Sequence, residues 1–214
     1  VARQKEFMRK LGMLEATPVE IVEAKGGKPL LPPNWSELSA MTISYGHGLS
    51  TSPMHLAAGY SAIANGGRYV KPTFLKQDGP QYGPRVMSAQ AAAASRTMLR
   101  KVVTEGTASF GEVPGYAVGG KTGTADKPKS RGGGYYEDKV IGTFACMFPA
   151  HDPKYVLIVS LDEPSENSGD EPRRTAGWTA VPVAAEMIGR LAPLLGVRPE
   201  VEPGQLAGIT LTSN

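Results

Sequence analysis

The residues carrying the most chemistry per unit length are Gly119-Gly120-Lys121-Thr122-Gly123-Thr124-Ala125, a lysine and two threonines set among glycines. Two readings compete for them. Gly115 through Thr122 spells G-x-x-x-x-G-K-[ST], the phosphate-binding loop of nucleotide hydrolases. Such a loop needs an apolar strand entering its first glycine and a helix leaving after the Lys-Thr pair, because the helix N terminus helps to hold the phosphates. Neither flank complies: Gly106, Gly111 and Pro114 precede it, and Gly123, Pro128 and Gly132-Gly133-Gly134 follow. A run of that composition cannot open a stable helix, which argues against the nucleotide. The second reading places the motif on a β-strand, with Lys121 and Thr122 on opposite faces and Thr124 on the face of Thr122.

The remaining reactive side chains are scattered. His47 lies between glycines, His55 within an amphipathic segment and His151 in a turn, and their spacing matches no zinc motif. Glu166, Asp170 and Glu171 lack the calcium-loop pattern and read as a solvated acidic loop. No cofactor or metal is expected. Cys146, the single cysteine, sits in the apolar run Thr143–Phe148 and reads as a small core residue. One cysteine excludes an internal disulfide and leaves the redox compartment open.

The elements that would position the motif are legible from pattern. Phe7, Met8 and Leu11 make an apolar helical stripe from Ala2 to Leu11, stopped by Gly12. The chain thus opens inside a helix, and the expectation is a polypeptide cut from something longer. Glycines and prolines from Thr17 to Trp35 predict an extended connection. Ser52-Pro53 predicts a helix start, with the helix continuing to Gly66-Gly67, and a second helix runs from Ser88 to Val103, before Gly106. Both are expected to pack on a sheet. Tyr116–Ala125, Lys139–Phe148 and Tyr155–Leu161 are β-rich runs, and the short link at 149–154 requires the last two to pair antiparallel. A final helix spans Gly177 to Leu195. The fold class expected is α+β: helices, a three-strand antiparallel meander, then a helix. The divisions are 1–42 (helix and extended connection), 43–112 (helical part), 113–198 (meander and last helix) and a tail, 199–214.

With 23 basic and 20 acidic residues interspersed, the net charge of +3 describes a mixed surface and not a nucleic-acid stripe. No apolar run approaches the ~18 residues of a membrane span, and the first residues do not form a signal peptide.

Several segments stand in a telling order: Ile43 to Ser50 (ISYGHGLS), Thr51 to Ala57 (TSPMHLA), Asn65-Gly66-Gly67, Glu105-Gly106-Thr107, Pro114-Gly115-Tyr116 and Gly120 to Ala125 (GKTGTA). From roughly Ile43 to Leu195 the chain resembles class B penicillin-binding proteins, in particular the septal type of peptidoglycan D,D-transpeptidase. In that family a Lys-Thr-Gly strand accompanies Ser-x-x-Lys and Ser-x-Asn motifs. The resemblance implies the serine β-lactamase/transpeptidase-like fold and an acyl-serine reaction. A serine attacks the penultimate D-Ala carbonyl of a stem peptide, the terminal D-Ala leaves, and an amine of a second stem peptide takes the acyl group.

Lys121, Thr122 and Thr124 then look like the donors for the substrate carboxylate. Gly123 would let an extended peptide lie against the strand, its alternative being a bulge or edge kink. The Thr124 N–H would be one oxyanion donor. No Ser-x-x-Lys occurs among the 214 residues, and Ser165-Glu166-Asn167 follows the third strand where the family places its motif upstream, so this chain alone is expected to be inactive. Many division-type relatives carry aromatic residues after the Asp-Glu-Pro turn; here stand Arg173 and Arg174, and Tyr135 or Tyr136 is the expected substitute. The resemblance further implies a periplasmic domain of a membrane-anchored parent, with stem peptide, β-lactams and divisome proteins as partners, and the isolated chain is expected to self-associate. A β-lactamase or a non-catalytic β-lactam sensor of the same fold are the alternatives.

Overall fold

A computed structural model of the chain describes residues 1–17, 19–23 and 27–200. They form two compact units, one of Val1–Arg96 with Val156–Ile158, the other of Thr97–Tyr155 with the described residues from Val159.

In the first unit, α1 (Ala2–Lys10) ends at Leu11, and Gly12 turns the chain with φ 74°. A side chain at Gly12 would begin 3.0 Å from the Tyr69 ring, so glycine is required there for shape as well as for conformation. Gln4 of α1 donates to Ala40 O at 2.8 Å and accepts from Trp35 Nε1 at 3.0 Å. That ties α1 to α2 (Glu37–Ser44), a helix where the sequence pattern predicts extended connection as far as residue 42. The missed signal was the cap: the Ser39 N–H donates to Ser36 Oγ at 3.1 Å, with Glu37 in the first turn where the helix dipole favours a carboxylate. Ile43 is buried while Leu38 and Met41 are exposed, so no single apolar stripe marks the helix.

α3 (Pro53–Ala64) forms as expected, with Pro53 at its first position and Ser52 as cap. The segment 43–112, read as helical, also holds a two-strand antiparallel ribbon, β1 (Arg68–Val70) and β2 (Tyr82–Arg85), against which α3 packs. Strands of three and four residues, one containing Gly83-Pro84, are too short to show an alternating pattern. α4 (Ala89–Thr104) is capped by Ser88 Oγ, which accepts from the Ala91 N–H at 3.0 Å.

The expected meander is β3 (Gly119–Pro128), β4 (Tyr135–Phe148) and β5 (Tyr155–Asp162), in the order β3-β4-β5. β3 runs antiparallel to β4 with Gly119 opposite Met147, Thr122 opposite Phe144 and Thr124 opposite Gly142. β3 starts three residues later than its β-rich run because Gly115, at φ 81°, and the Val113–Tyr116 bridge use those residues in a turn. α5 (Ala180–Leu194) buries Ala180, Val181, Ala184, Ile188 and Ala192, one stripe at helical spacing. Phe144, Cys146, Met147, Phe148, Val103, Val118 and Ile188 are almost fully buried. At about 1.5–3 kcal/mol for each large side chain, their burial is what holds the central strand in place. The tail from residue 201 lies outside the described residues.

Candidate functional site

The Lys-Thr-Gly segment lies on β3, the edge strand of the meander; among the described residues no strand pairs with its other side. Its two leading glycines are dictated by packing. A Cβ at Gly120 would stand 2.6 Å from Ala145 O and 2.7 Å from Cys146 Cβ, and one at Gly119 would stand 3.1 Å from Ala150 Cβ and 3.2 Å from Arg100 N. The strand is therefore pressed onto β4 and α4 just before the motif. Gly123 differs: the nearest atom to a Cβ there is Thr143 O at 4.0 Å. No internal contact requires glycine at that position, and its effect is to leave the strand open to whatever approaches.

Lys121 is exposed and folds over its own strand, its Nζ donating to Thr122 O at 2.9 Å and to Thr122 Oγ1 at 3.3 Å. Among the described residues it has no carboxylate partner. Glu112 is engaged with Arg100 at 2.6 Å, Asp162 with Lys127 at 2.8 Å, and Glu163 with Lys127 at 2.8 Å and Lys139 at 2.9 Å. An unneutralised ammonium on an open edge attracts anions.

Thr122 and Thr124 share the other face, as period two requires. The Thr122 hydroxyl lies 2.8 Å from that of Thr107, on the turn after α4, and Thr124 Oγ1 accepts the Ala176 N–H at 3.0 Å. Thr107, Phe110, Thr122, Thr124, Thr175 and Trp178 line a cleft of about 450 Å³. Its aromatic wall is Phe110 and Trp178, with ring centroids 4.9 Å apart, and the Arg173 guanidinium stacks 3.9 Å from the Trp178 ring. The sequence reading assigned no role to Thr107, Phe110, Thr175 or Trp178. Thr107 sits in the Glu105-Gly106-Thr107 segment with nothing local to mark its task, and Trp178 is marked only as one of two tryptophans.

Lys121, Thr122, Gly123 and Thr124 are consecutive and share this edge. Tyr136, the expected aromatic partner, is not brought to them. Tyr135 pairs with Pro128 at the far end of the hairpin, which puts Tyr136 about 20 Å from Lys121 along the strand. There the Lys139 ammonium lies 5.2 Å from the Tyr136 ring centroid. The same end carries the Lys127–Glu163–Lys139 clamp. Hydrogen bonds from Lys127, then from Lys139, hold the Glu163 carboxyl below its ordinary value of 4.5, and the Lys127 ammonium is raised by Asp162 and Glu163.

The other candidates are structural. His55 is buried; its Nε2 donates to Glu15 O at 2.7 Å, so Nδ1 is the acceptor for the Ser52 N–H at 3.1 Å. Ser165 Oγ donates to Asn167 Oδ1 at 2.7 Å within a loop, and Glu166 pairs with Arg173 through both backbone hydrogen bonds at 2.9 Å. A hydrogen bond from Ser168 holds the Glu166 carboxyl below its ordinary value. No group of three His, Cys, Asp or Glu side chains among the described residues is arranged to hold a metal. A larger open cleft, about 570 Å³, lies between His151, Lys154, Tyr155 and residues 195–200, but it contains none of the lysine–threonine strand.

Residues 2–186 match the family model described as the penicillin binding protein transpeptidase domain. The chain is 33% identical over 210 residues to the probable peptidoglycan D,D-transpeptidase FtsI of Caulobacter vibrioides, covering 94% of this chain and 35% of that protein. It is 34% identical to penicillin-binding protein PbpB of Mycobacterium tuberculosis, covering 94% and 32%. It therefore spans about a third of the length of the curated relatives it matches. Among solved structures, the apo transpeptidase domain of Burkholderia pseudomallei penicillin-binding protein 3 is similar with a TM-score of 0.80 at 37% identity, over 92% of this chain and 59% of that one. Penicillin-binding protein 3 of Mycobacterium tuberculosis complexed with ampicillin is similar with a TM-score of 0.79 at 33% identity, over 95% and 48%.

Proposed function

This chain belongs to the penicillin-binding protein transpeptidase domain family, and we propose that it supplies the substrate-anchoring strand of a peptidoglycan D,D-transpeptidase whose serine lies on a part of the protein outside these 214 residues. The observation that carries the reading is the open β3 edge, where an exposed ammonium with no carboxylate partner among the described residues stands beside two hydroxyls and a glycine with free space above it.

The substrate ends in a carboxylate. Lys121 provides its countercharge, and Thr122 and Thr124 donate hydrogen bonds to it; charge assistance makes such bonds about twice as strong as neutral ones. With the C terminus fixed, the peptide lies along β3 as an added strand, and Gly123 keeps its path clear. The serine gives up its proton, which the departing amine later takes, as its oxygen adds to the penultimate carbonyl, and the negative charge that forms on the carbonyl oxygen is met by the Thr124 N–H and the serine's own N–H. The C–N bond breaks, terminal D-Ala leaves as the protonated amine, and an acceptor amine then displaces the serine from the acyl group. A β-lactam with a carboxylate on its fused ring occupies the same donors, and its opened ring stays on the serine. The relatives' names place the work in bacterial cell-wall synthesis, so we assign this domain to the periplasmic or extracellular side, with division proteins as partners. No helix among the described residues is long and apolar enough to cross a membrane.

Mass spectrometry after incubation with penicillin tests the reading. The 214-residue chain should stay unmodified, and the longer protein should gain one adduct on a Ser-x-x-Lys serine. An adduct on any serine of this chain would refute it.

A further inference from the structure

We infer that Thr107 is a positioning residue for the carboxylate site, turning the Thr122 hydroxyl so that its proton faces the substrate; this rests on the carboxylate-anchoring role proposed above. Thr107 has no packing role of its own. Its side chain is exposed, yet its backbone is fixed on every side. Ala108 next to it is fully buried and donates its N–H to Val102 O at 3.1 Å, and a Cβ at Gly106 would meet Val102 O at 2.9 Å. Gly177 opposite is packed so closely that a Cβ there would stand 2.6 Å from Thr107 O. The turn is thus clamped between α4 and the segment leading into α5, and what it presents to the cleft is one hydroxyl.

That hydroxyl lies 2.8 Å from Thr122 Oγ1, which also takes a hydrogen bond from Lys121 Nζ at 3.3 Å. A threonine oxygen has two lone pairs and one proton. The lysine ammonium can only donate, so it uses one lone pair. A bound carboxylate can only accept, so the Thr122 proton must go to it. The one arrangement left has Thr107 donating into the second lone pair of Thr122. Thr107, Thr122 and the carboxylate then form a chain of bonds pointing one way, each polarising the next. Without Thr107 the Thr122 hydroxyl keeps only the longer hydrogen bond from Lys121 Nζ at 3.3 Å to orient it, and its proton is less firmly aimed at the carboxylate.

The test uses the longer serine-bearing protein and two probes, a labelled penicillin with its free carboxylate and the methyl ester of the same compound. Thr107→Val should slow acylation by the free acid by about threefold to tenfold, the worth of one hydrogen bond between neutral groups, and leave the ester rate within about twofold, the scatter of an exposed substitution. Thr107→Ser, which keeps the hydroxyl, should restore the acid rate, and Thr107→Ala, which lacks valine's extra methyl, should repeat the valine result and so assign the loss to the hydroxyl and not to crowding of the turn. Equal loss with acid and ester would make Thr107 merely structural, and no loss with either would give it no role; both overturn the inference, while a wild-type protein that reacts faster with the acid than with the ester upholds the strand's function. A wild-type protein that neither probe acylates would overturn both.

Discussion

Replacing Lys121 by alanine separates a site residue from a surface residue more sharply than any other change on this strand. Its ammonium is exposed, donates to its own strand at Thr122 O (2.9 Å), and has no carboxylate partner among the described residues. Truncation therefore breaks no ion pair and empties no core, and the fold should change by at most about ±0.5 kcal/mol. The effect on the reaction is much larger. A hydrogen bond to a charged group contributes about 1.5–3 kcal/mol, and two unit charges ~4 Å apart near a protein surface interact by about 4 kcal/mol. Removal of a preorganised donor at a developing charge costs about 2.7–4 kcal/mol. Together these set an expected loss of about 100-fold to 1,000-fold in the second-order rate of acylation by labelled penicillin in the longer protein. The charge is exposed, so salt screens it over about 8 Å at physiological ionic strength. The wild-type rate should fall as salt rises, and the variant's rate should fall less. Unchanged acylation with an unchanged unfolding midpoint would remove Lys121 from the site and leave its motif a surface strand.

The glycines of β3 should divide by role. Gly120→Ala drives a methyl into Ala145 O, Cys146 and Phe144 and should cost about 1–3 kcal/mol or more by thermal unfolding. Gly123→Val, with open space above it, should leave the midpoint nearly unchanged and slow acylation; the reverse pattern would refute the assignment. Phe144, fully buried, should cost about 3–5 kcal/mol when replaced by alanine, read from the denaturant midpoint. The Glu163 carboxyl is lowered by Lys127 and Lys139, so its stabilisation is present above 4.5 and disappears as pH falls through its lower folded value. Glu163→Gln should therefore flatten the acid side of the stability profile below pH 4.5, and an unaltered profile would refute the clamp. α2 leaves Leu38, Met41 and Tyr45 exposed at 68%, 63% and 74%, so the isolated chain should self-associate in sedimentation and do so less as Met41→Ser; a monomer at every concentration tested would count against it.

What the sequence determined alone are the features written within a dozen residues. A glycine stop marks α1, caps and stops mark α3 and α4, and a short link dictates that β4 and β5 pair antiparallel. The order of motifs identifies the family, because each motif is a contiguous string, and the failed phosphate-loop reading could be judged from its immediate flanks. α2, β1 and β2 escaped because short elements packed on their neighbours carry too little periodicity for any pattern to show.

Only tertiary structure decided which groups surround the lysine–threonine strand. The Thr107–Thr122 contact joins residues 15 apart and the Thr124–Ala176 bond residues 52 apart, separations at which local propensity holds no information. The same is true of the aromatic wall. Tyr136 follows the strand closely in sequence, but the pairing of Pro128 with Tyr135 carries it to the far end of the hairpin, whereas Trp178 returns to the cleft because α5 must bury its apolar stripe and so brings its leading segment beside Thr107. The chemistry of the motif is local, and the packing that aims it belongs to the whole unit.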